Sequence, residues 1–173
     1  MSKYQKLSIK NAAYNGCGCL LLLMGIVVVI GGIAMPSYLK KVWNIKQAEA
    51  KDYVRSINKG QQAYLAEKSV FSTSVKAVKI GIKTETENYK YSLMTTKKAT
   101  FNYGVSKQKD LKSFVGGVFV IPATKVESNA STNKTTTTSI LCRADSAGTS
   151  KPAEPTYENG KIACGKGTTE VTK

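Results

Sequence analysis

From Leu20 to Met35 the chain reads LLLLMGIVVVIGGIAM, sixteen residues without one polar side chain. A helix carrying this run has no wet face, so it must be surrounded by apolar material on every side. With Cys17, Gly18 and Cys19 the stretch is long enough to span about 28 Å at ~1.5 Å per residue, close to a bilayer's hydrocarbon core of ~30 Å. A buried core helix is the competing reading, but so long an all-round apolar surface exceeds what a small domain covers. Residues 17–35 are therefore expected to be a transmembrane helix.

Lys3, Lys6 and Lys10 precede the run, and no acid occurs before Glu49. The positive-inside rule then predicts a cytoplasmic N-terminus, with residues 1–16 as a basic leader, although Lys40 and Lys41 beyond the run weaken the asymmetry. The run is longer than a secretory h-region, and Met35-Pro36-Ser37 is a poor cleavage site, so the segment is expected to stay in the mature chain. The whole chain carries 26 Lys and Arg against 11 acids and has no histidine. Missing histidine removes the commonest general base and most zinc sites, and the carboxylates are scattered. The expectation is a non-enzyme with no catalytic residues, cofactor, metal or small-molecule substrate.

Beyond the run, Val42, Ile45, Ala48, Tyr53, Ile57, Tyr64 and Leu65 recur at helical spacing. This predicts an amphipathic helix over 36–66, continuous with the span and kinked at Pro36. Residues 67–88 read as a loop. Strands follow where Tyr89, Tyr91 and Leu93 alternate with polar residues, and again at Phe101, Tyr103 and Val105, with a hairpin turn between them. Phe114–Ile121 is nearly all apolar and predicts a central strand, and the β-branched Thr135–Cys142 predicts a fourth. The fold class is thus α+β, one long helix on a roughly four-stranded antiparallel sheet over 89–142. The apolar face of that sheet needs a cover, so Ile45, Tyr53, Ile57 and Tyr64 are expected against Tyr91, Phe101, Tyr103, Val118 and Val120, with Arg55 and Lys59 in water. Cys142 and Cys164 lie 22 apart in a Pro- and Gly-rich tail; this spacing suits a disulfide closing a long loop outside the cytoplasm, against the alternative of two free thiols.

Four further motifs have modest content. Cys17-Gly18-Cys19 reads as acylation, metal capture or cross-linking, or as small residues packing at a helix start. Gly160 to Lys166 matches a phosphate-loop pattern, but Gly167 stands where the Mg²⁺-binding hydroxyl belongs. Asn129 and Asn133 begin glycosylation sequons of little weight in bacteria. The dispersed lysines read as a solvated basic surface or as a nucleic-acid-binding one.

Ile33-Ala-Met-Pro-Ser-Tyr-Leu39, Gln47-Ala-Glu-Ala-Lys-Asp-Tyr-Val54, Ser56-Ile-Asn58, Gln61-Gln-Ala-Tyr64 and Thr84-Glu-Thr-Glu-Asn-Tyr89 together resemble the bacterial type IV pilin-like G/H group. Gly117-Val-Phe-Val120 and Ile140-Leu-Cys142 fit as well. The resemblance implies a pilin-like head over 36–173, with 67–88 as the αβ-loop and 142–164 as a Cys-bounded edge. It implies a minor structural subunit of a type IV pilus or secretion pseudopilus, held in the inner membrane by one span with the head periplasmic or extracellular. The partners implied are inner-membrane lipid and other pilin-like subunits or the assembly machinery. The alternative is a non-polymerising single-span protein whose basic head binds DNA or an acidic polymer weakly. Pilins carry Gly-Phe-Thr-Leu-Ile-Glu at their cleavage point. Aligned on Pro36, this chain has Tyr14 in place of that Gly and Cys19 in place of that Glu; Gly16, Cys17, Gly18 and Cys19 mark the processing region. Pilin-type cleavage is accordingly expected to be inefficient or absent.

Overall fold

The computed structural model describes the backbone of residues 3–78, 81, 83–126 and 134–172, and the side chains of that set apart from 3–23 and 27–37. A helix, α1, spans Lys3–Lys68. The chain divides into two compact units, Met1–Val42 and Trp43–Lys173. In the first, Met24, Ile26, Tyr38 and Leu39 are exposed. Pro36, Gly16, Cys17, Gly18 and Cys19 have side chains outside the described residues, as do most positions of the apolar run. Among the described residues no helix is long and apolar enough to cross a membrane.

The second unit is the helix–sheet head. Strands β1 (Tyr89–Thr95), β2 (Ala99–Ser106), β3 (Phe114–Pro122) and β4 (Thr135–Ala144) form an antiparallel meander. The tail then adds β5 (Thr156–Glu158), β6 (Lys161–Ala163) and β7 (Thr168–Glu170). β7 pairs with β4, so the sheet has five strands in the order β1-β2-β3-β4-β7. β5 and β6 form a separate hairpin. Its turn is Asn159-Gly160, both at positive φ, the backbone a two-residue type I′ turn demands. The α+β fold with a long helix on an antiparallel sheet agrees with the sequence. The Cys-bounded C-terminal stretch over 142–164, expected to be a loop, holds β5 and β6, and β7 follows it.

The cover of the sheet differs in detail from the expected one. The buried helix stripe is Ala50, Val54, Ile57, Asn58 and Gln61, while Ile45 is 63 % exposed. Residues 45 and 57 are twelve apart, which at 100° per residue puts them 120° apart around the axis and off one stripe. Tyr53 packs on the edge of the core beneath the helix, with Tyr89, Tyr91, Leu111, Phe114 and Leu141. Phe101 and Tyr103 belong to a second core on the opposite face, with Val115, Phe119, Ile121 and Ile140. The register explains this. Tyr91 pairs with Gly104 and Leu93 with Asn102, so it is the even residues of β2 that face the helix. Over β2 and β3 both faces of the sheet are therefore covered, one by α1 and the other by the Cys-bounded tail, while the far face of β1 stays exposed at Lys90, Ser92 and Met94. The second cover is supplied by Tyr157 and Ile162 of the hairpin and by Cys164.

Candidate interaction surface

The helix sits close to the sheet because the facing residues are small. A Cβ on Gly104 would lie 2.9 Å from Val54 Cγ2, and one on Gly116 would overlap the Asn58 amide, 2.6 Å from its Nδ2. Close approach brings buried polar groups together, and each must find a partner. Asn58 donates to the Ile140 carbonyl at 3.0 Å, and Asn102 donates to Asn58 Oδ1 at 2.8 Å. Gln61 donates to the Ser72 carbonyl at 3.0 Å and accepts from the Ser72 amide at 2.9 Å. Thr95 donates to that same carbonyl and bonds Thr100. A polar seam thus ties α1, the αβ-loop and three strands into one rigid frame. Apolar spacing along the helix does not mark these residues; the signal in the sequence is that Asn58 and Gln61, three apart beside Ile57, interrupt the apolar stripe on its buried face.

On the opposite face, the predicted disulfide between Cys142 and Cys164 is formed, with a Cα–Cα distance of 5.8 Å. It holds the hairpin against β4. Phe119 meets Phe101 edge-on and touches Tyr157. Tyr103 is almost wholly buried and donates its hydroxyl to Glu154, while the Lys151 ammonium stands 3.9 Å from the ring centroid. Burial first, then the Glu154 carboxylate, pushes the Tyr103 phenol well above its usual range. Gly160 to Lys166 serves this cover. Gly160 makes the turn, Cys164 the disulfide, and Gly165 lies where a side chain would strike Ala153. A strand follows, where a phosphate loop needs a helix.

The rim is basic. Ion pairs join Arg55 to Asp52, Lys68 to Glu67, Lys107 to Glu85 and Lys151 to Glu154. The hydrogen bond and charge of Lys107 hold the Glu85 carboxyl below its usual range. With 26 cations to 11 acids in the chain, such pairing leaves most of the positive charge to water.

One side of the sheet is only partly closed. β7 covers β4 at Cys142–Ala144, and the Val171 amide donates to the Leu141 carbonyl. Along Thr135–Ser139 no described strand lies outside β4. The Ala144 amide points inward to the Ser113 carbonyl and Leu141 points outward, so Thr135, Thr137 and Ser139 also aim their N–H and C=O groups outward. A trough runs between this edge and α1. Gln62 bridges it by donating to Thr137 Oγ1 at 3.0 Å, with a hollow of about 460 Å³ toward Arg55 and Lys59 and one of about 420 Å³ toward Leu65 and Lys97.

Compared with known proteins, residues 47–165, more than half of the chain, match a family model described as type IV pilin-like G and H. No curated protein and no solved structure matches the chain.

Proposed function

The chain belongs to the type IV pilin-like G and H family, and from that premise we propose that it is a membrane-anchored structural protein, a minor subunit of a type IV pilus or secretion pseudopilus. The observation that carries this reading is the head itself: a helix docked on an antiparallel sheet whose far face is closed by a disulfide-bounded tail. The family is structural, and the chain's role is accordingly support and contact rather than catalysis. Residues 17–35 are the anchor, on the strength of their apolar run. The N-terminus is cytoplasmic and the head periplasmic or extracellular, on the strength of Lys3, Lys6 and Lys10 and of the disulfide. Other pilin-like subunits or the assembly machinery are the partners, and inner-membrane lipid surrounds the anchor.

A second reading is favoured by one specific feature. A pilin's early Glu is costly in lipid unless it pairs with a neighbour's amine, and that pairing recruits the subunit. This chain has Cys19 at that place and no acid before Glu49. A permanent single-span protein with a basic binding head would carry that pattern, its head meeting DNA or an acidic polymer. The same feature leads to the expectation that leader processing is inefficient. Protease added to spheroplasts is expected to remove the head, and mass spectrometry of the membrane-bound remainder to find the leader attached. A head protected until lysis overturns the orientation. A mature chain beginning at Cys17 or Cys19 with a methylated amine overturns the processing expectation and favours the filament subunit.

A further inference from the structure

We infer that the outer edge of β4, with the trough beside α1, is a docking site for an extended acidic peptide segment of a partner protein, which adds to the sheet as a sixth strand. The edge supplies the pattern that strand addition needs. Thr135, Thr137 and Ser139 each present a donor and an acceptor outward, and alternate residues of a strand repeat every ~6.7 Å. Among the described residues nothing pairs with these groups, whereas β7 pairs with the same edge from Leu141 onward. An exposed sheet edge without a bulge, a proline or an inward charge is a ready template for another chain. β4 has none of these devices between Thr135 and Ser139.

The trough selects the occupant's chemistry. The edge alternates donors with acceptors, so a peptide backbone satisfies both; a phosphate backbone offers acceptors alone and would leave the carbonyls unpaired. Side chains on the helix-facing side of an added strand would enter the two hollows on either side of Gln62. Those hollows are flanked by Arg55 and Lys59 at one end and Lys97 at the other, with Lys134 exposed at the start of the strand. Acidic side chains complement this arrangement. A second copy of the chain would bring the same cations to the same edge, and this like charge disfavours self-pairing.

The test uses the full-length chain in detergent and a blocked nonapeptide of alternating threonine and glutamate. Saturable binding is expected, with amide hydrogen exchange slowed at Thr137 and Ser139. The peptide methylated on alternate backbone nitrogens, and the lysine-for-glutamate peptide, should each bind at least about tenfold more weakly. Thr137→Pro removes an outward N–H and leaves the β3 ladder intact, so it should abolish binding while the unfolding midpoint is kept. If that variant does not fold, the methylated peptide decides. Equal binding of the methylated peptide would reduce the effect to simple charge attraction and overturn the proposal, as would no saturable binding. Self-association of the free chain with slowed exchange at Thr137 and Ser139 would give the edge to a second copy and overturn the foreign partner.

Discussion

In the central strands β2 and β3 both faces of the sheet are buried, and the two are held by different means. Beneath α1 an apolar core is crossed by a seam of asparagines, threonines and glutamine set against glycines, and hydrogen bonds fix which turn of the helix meets which strand. On the far side, the contact is aromatic and aliphatic, and a disulfide holds the cover in place. Apolar contact is non-directional, so by itself it sets a face but not a register. A buried polar seam must be fully satisfied, and a helix slipped by one turn would orphan Asn58, Asn102 and Gln61. The head thus has one face that specifies an arrangement and one that is clamped.

Two neighbouring glycines expose that difference most sharply. Gly116 faces the helix, and Gly117 faces the tail. Alanine at Gly116 must push into the Asn58 amide, where helix and strand are both rigid, and it breaks the link to Asn102 and Ile140. Overpacking of about 1–3 kcal/mol then adds to the cost of stranded polar groups, giving roughly 3–5 kcal/mol. Alanine at Gly117 meets Pro155 Cγ at 2.6 Å and the Phe119 ring at 2.8 Å. Pro155 sits on a loop that can give way, so the loss should stay at about 1–2 kcal/mol. Denaturant melts of the two variants measure the pair. Equal losses would show that the seam confers no special rigidity.

The clamp comes next in size. Replacing both Cys142 and Cys164 by alanine opens a loop 22 residues long. The loss should be about 3 kcal/mol on the chain-entropy account. It should fall unevenly: amides of β5 and β6 should exchange faster, while those of the helix segment Ala50–Gln61 keep their protection. Uniform loosening would mean that the two faces fold as one cooperative unit and that the contrast between them is only chemical.

The meander was legible from alternation at β1 and β2, an apolar run at β3 and β-branched residues at β4, and the disulfide because two cysteines stood in a Pro- and Gly-rich tail. The faces were harder to read. In β2 both sides are buried, so Phe101 and Tyr103 carry the alternation of a core without saying which core. Only pairing with β1 resolves that, through Tyr91 opposite Gly104. The polar seam was illegible for a different reason, since a buried asparagine looks like a surface one until its partners, 44 and 82 residues away, are in place. The β5–β6 hairpin could have been found, because Asn159-Gly160 between two short β-prone segments is a strong turn signal. The trough beside β4 depends on where β7 stops, which no local pattern encodes.

The smallest effect is expected within the helix-side core, at two tyrosines of β1. Both are buried there, and their rings lie 6.4 Å apart. Tyr89 donates to the Lys112 carbonyl at 3.0 Å, whereas the Tyr91 hydroxyl has no hydrogen-bond partner among the described residues. Tyr89→Phe should therefore cost about 1 kcal/mol, and Tyr91→Phe should be neutral or slightly stabilising, because it removes a desolvated group that gains nothing. Alkaline pH separates them further from the wild type. Burial first, then the charge of Glu49, raises both phenols above the ordinary value of 10. The unfolded chain then releases these protons first. Their contribution is complete below pH 10 and is lost as pH rises, at about 1.4 kcal/mol per pH unit for each tyrosine. Tyr91→Phe lacks one such proton, so its stability relative to the wild type should be higher at pH 11 than at pH 7. Paired melts at the two pH values read this directly. A loss of more than about 1 kcal/mol for Tyr91→Phe at pH 7 would mean that its hydroxyl is satisfied in solution, and that the polar seam extends further along the helix face than its bonded members indicate.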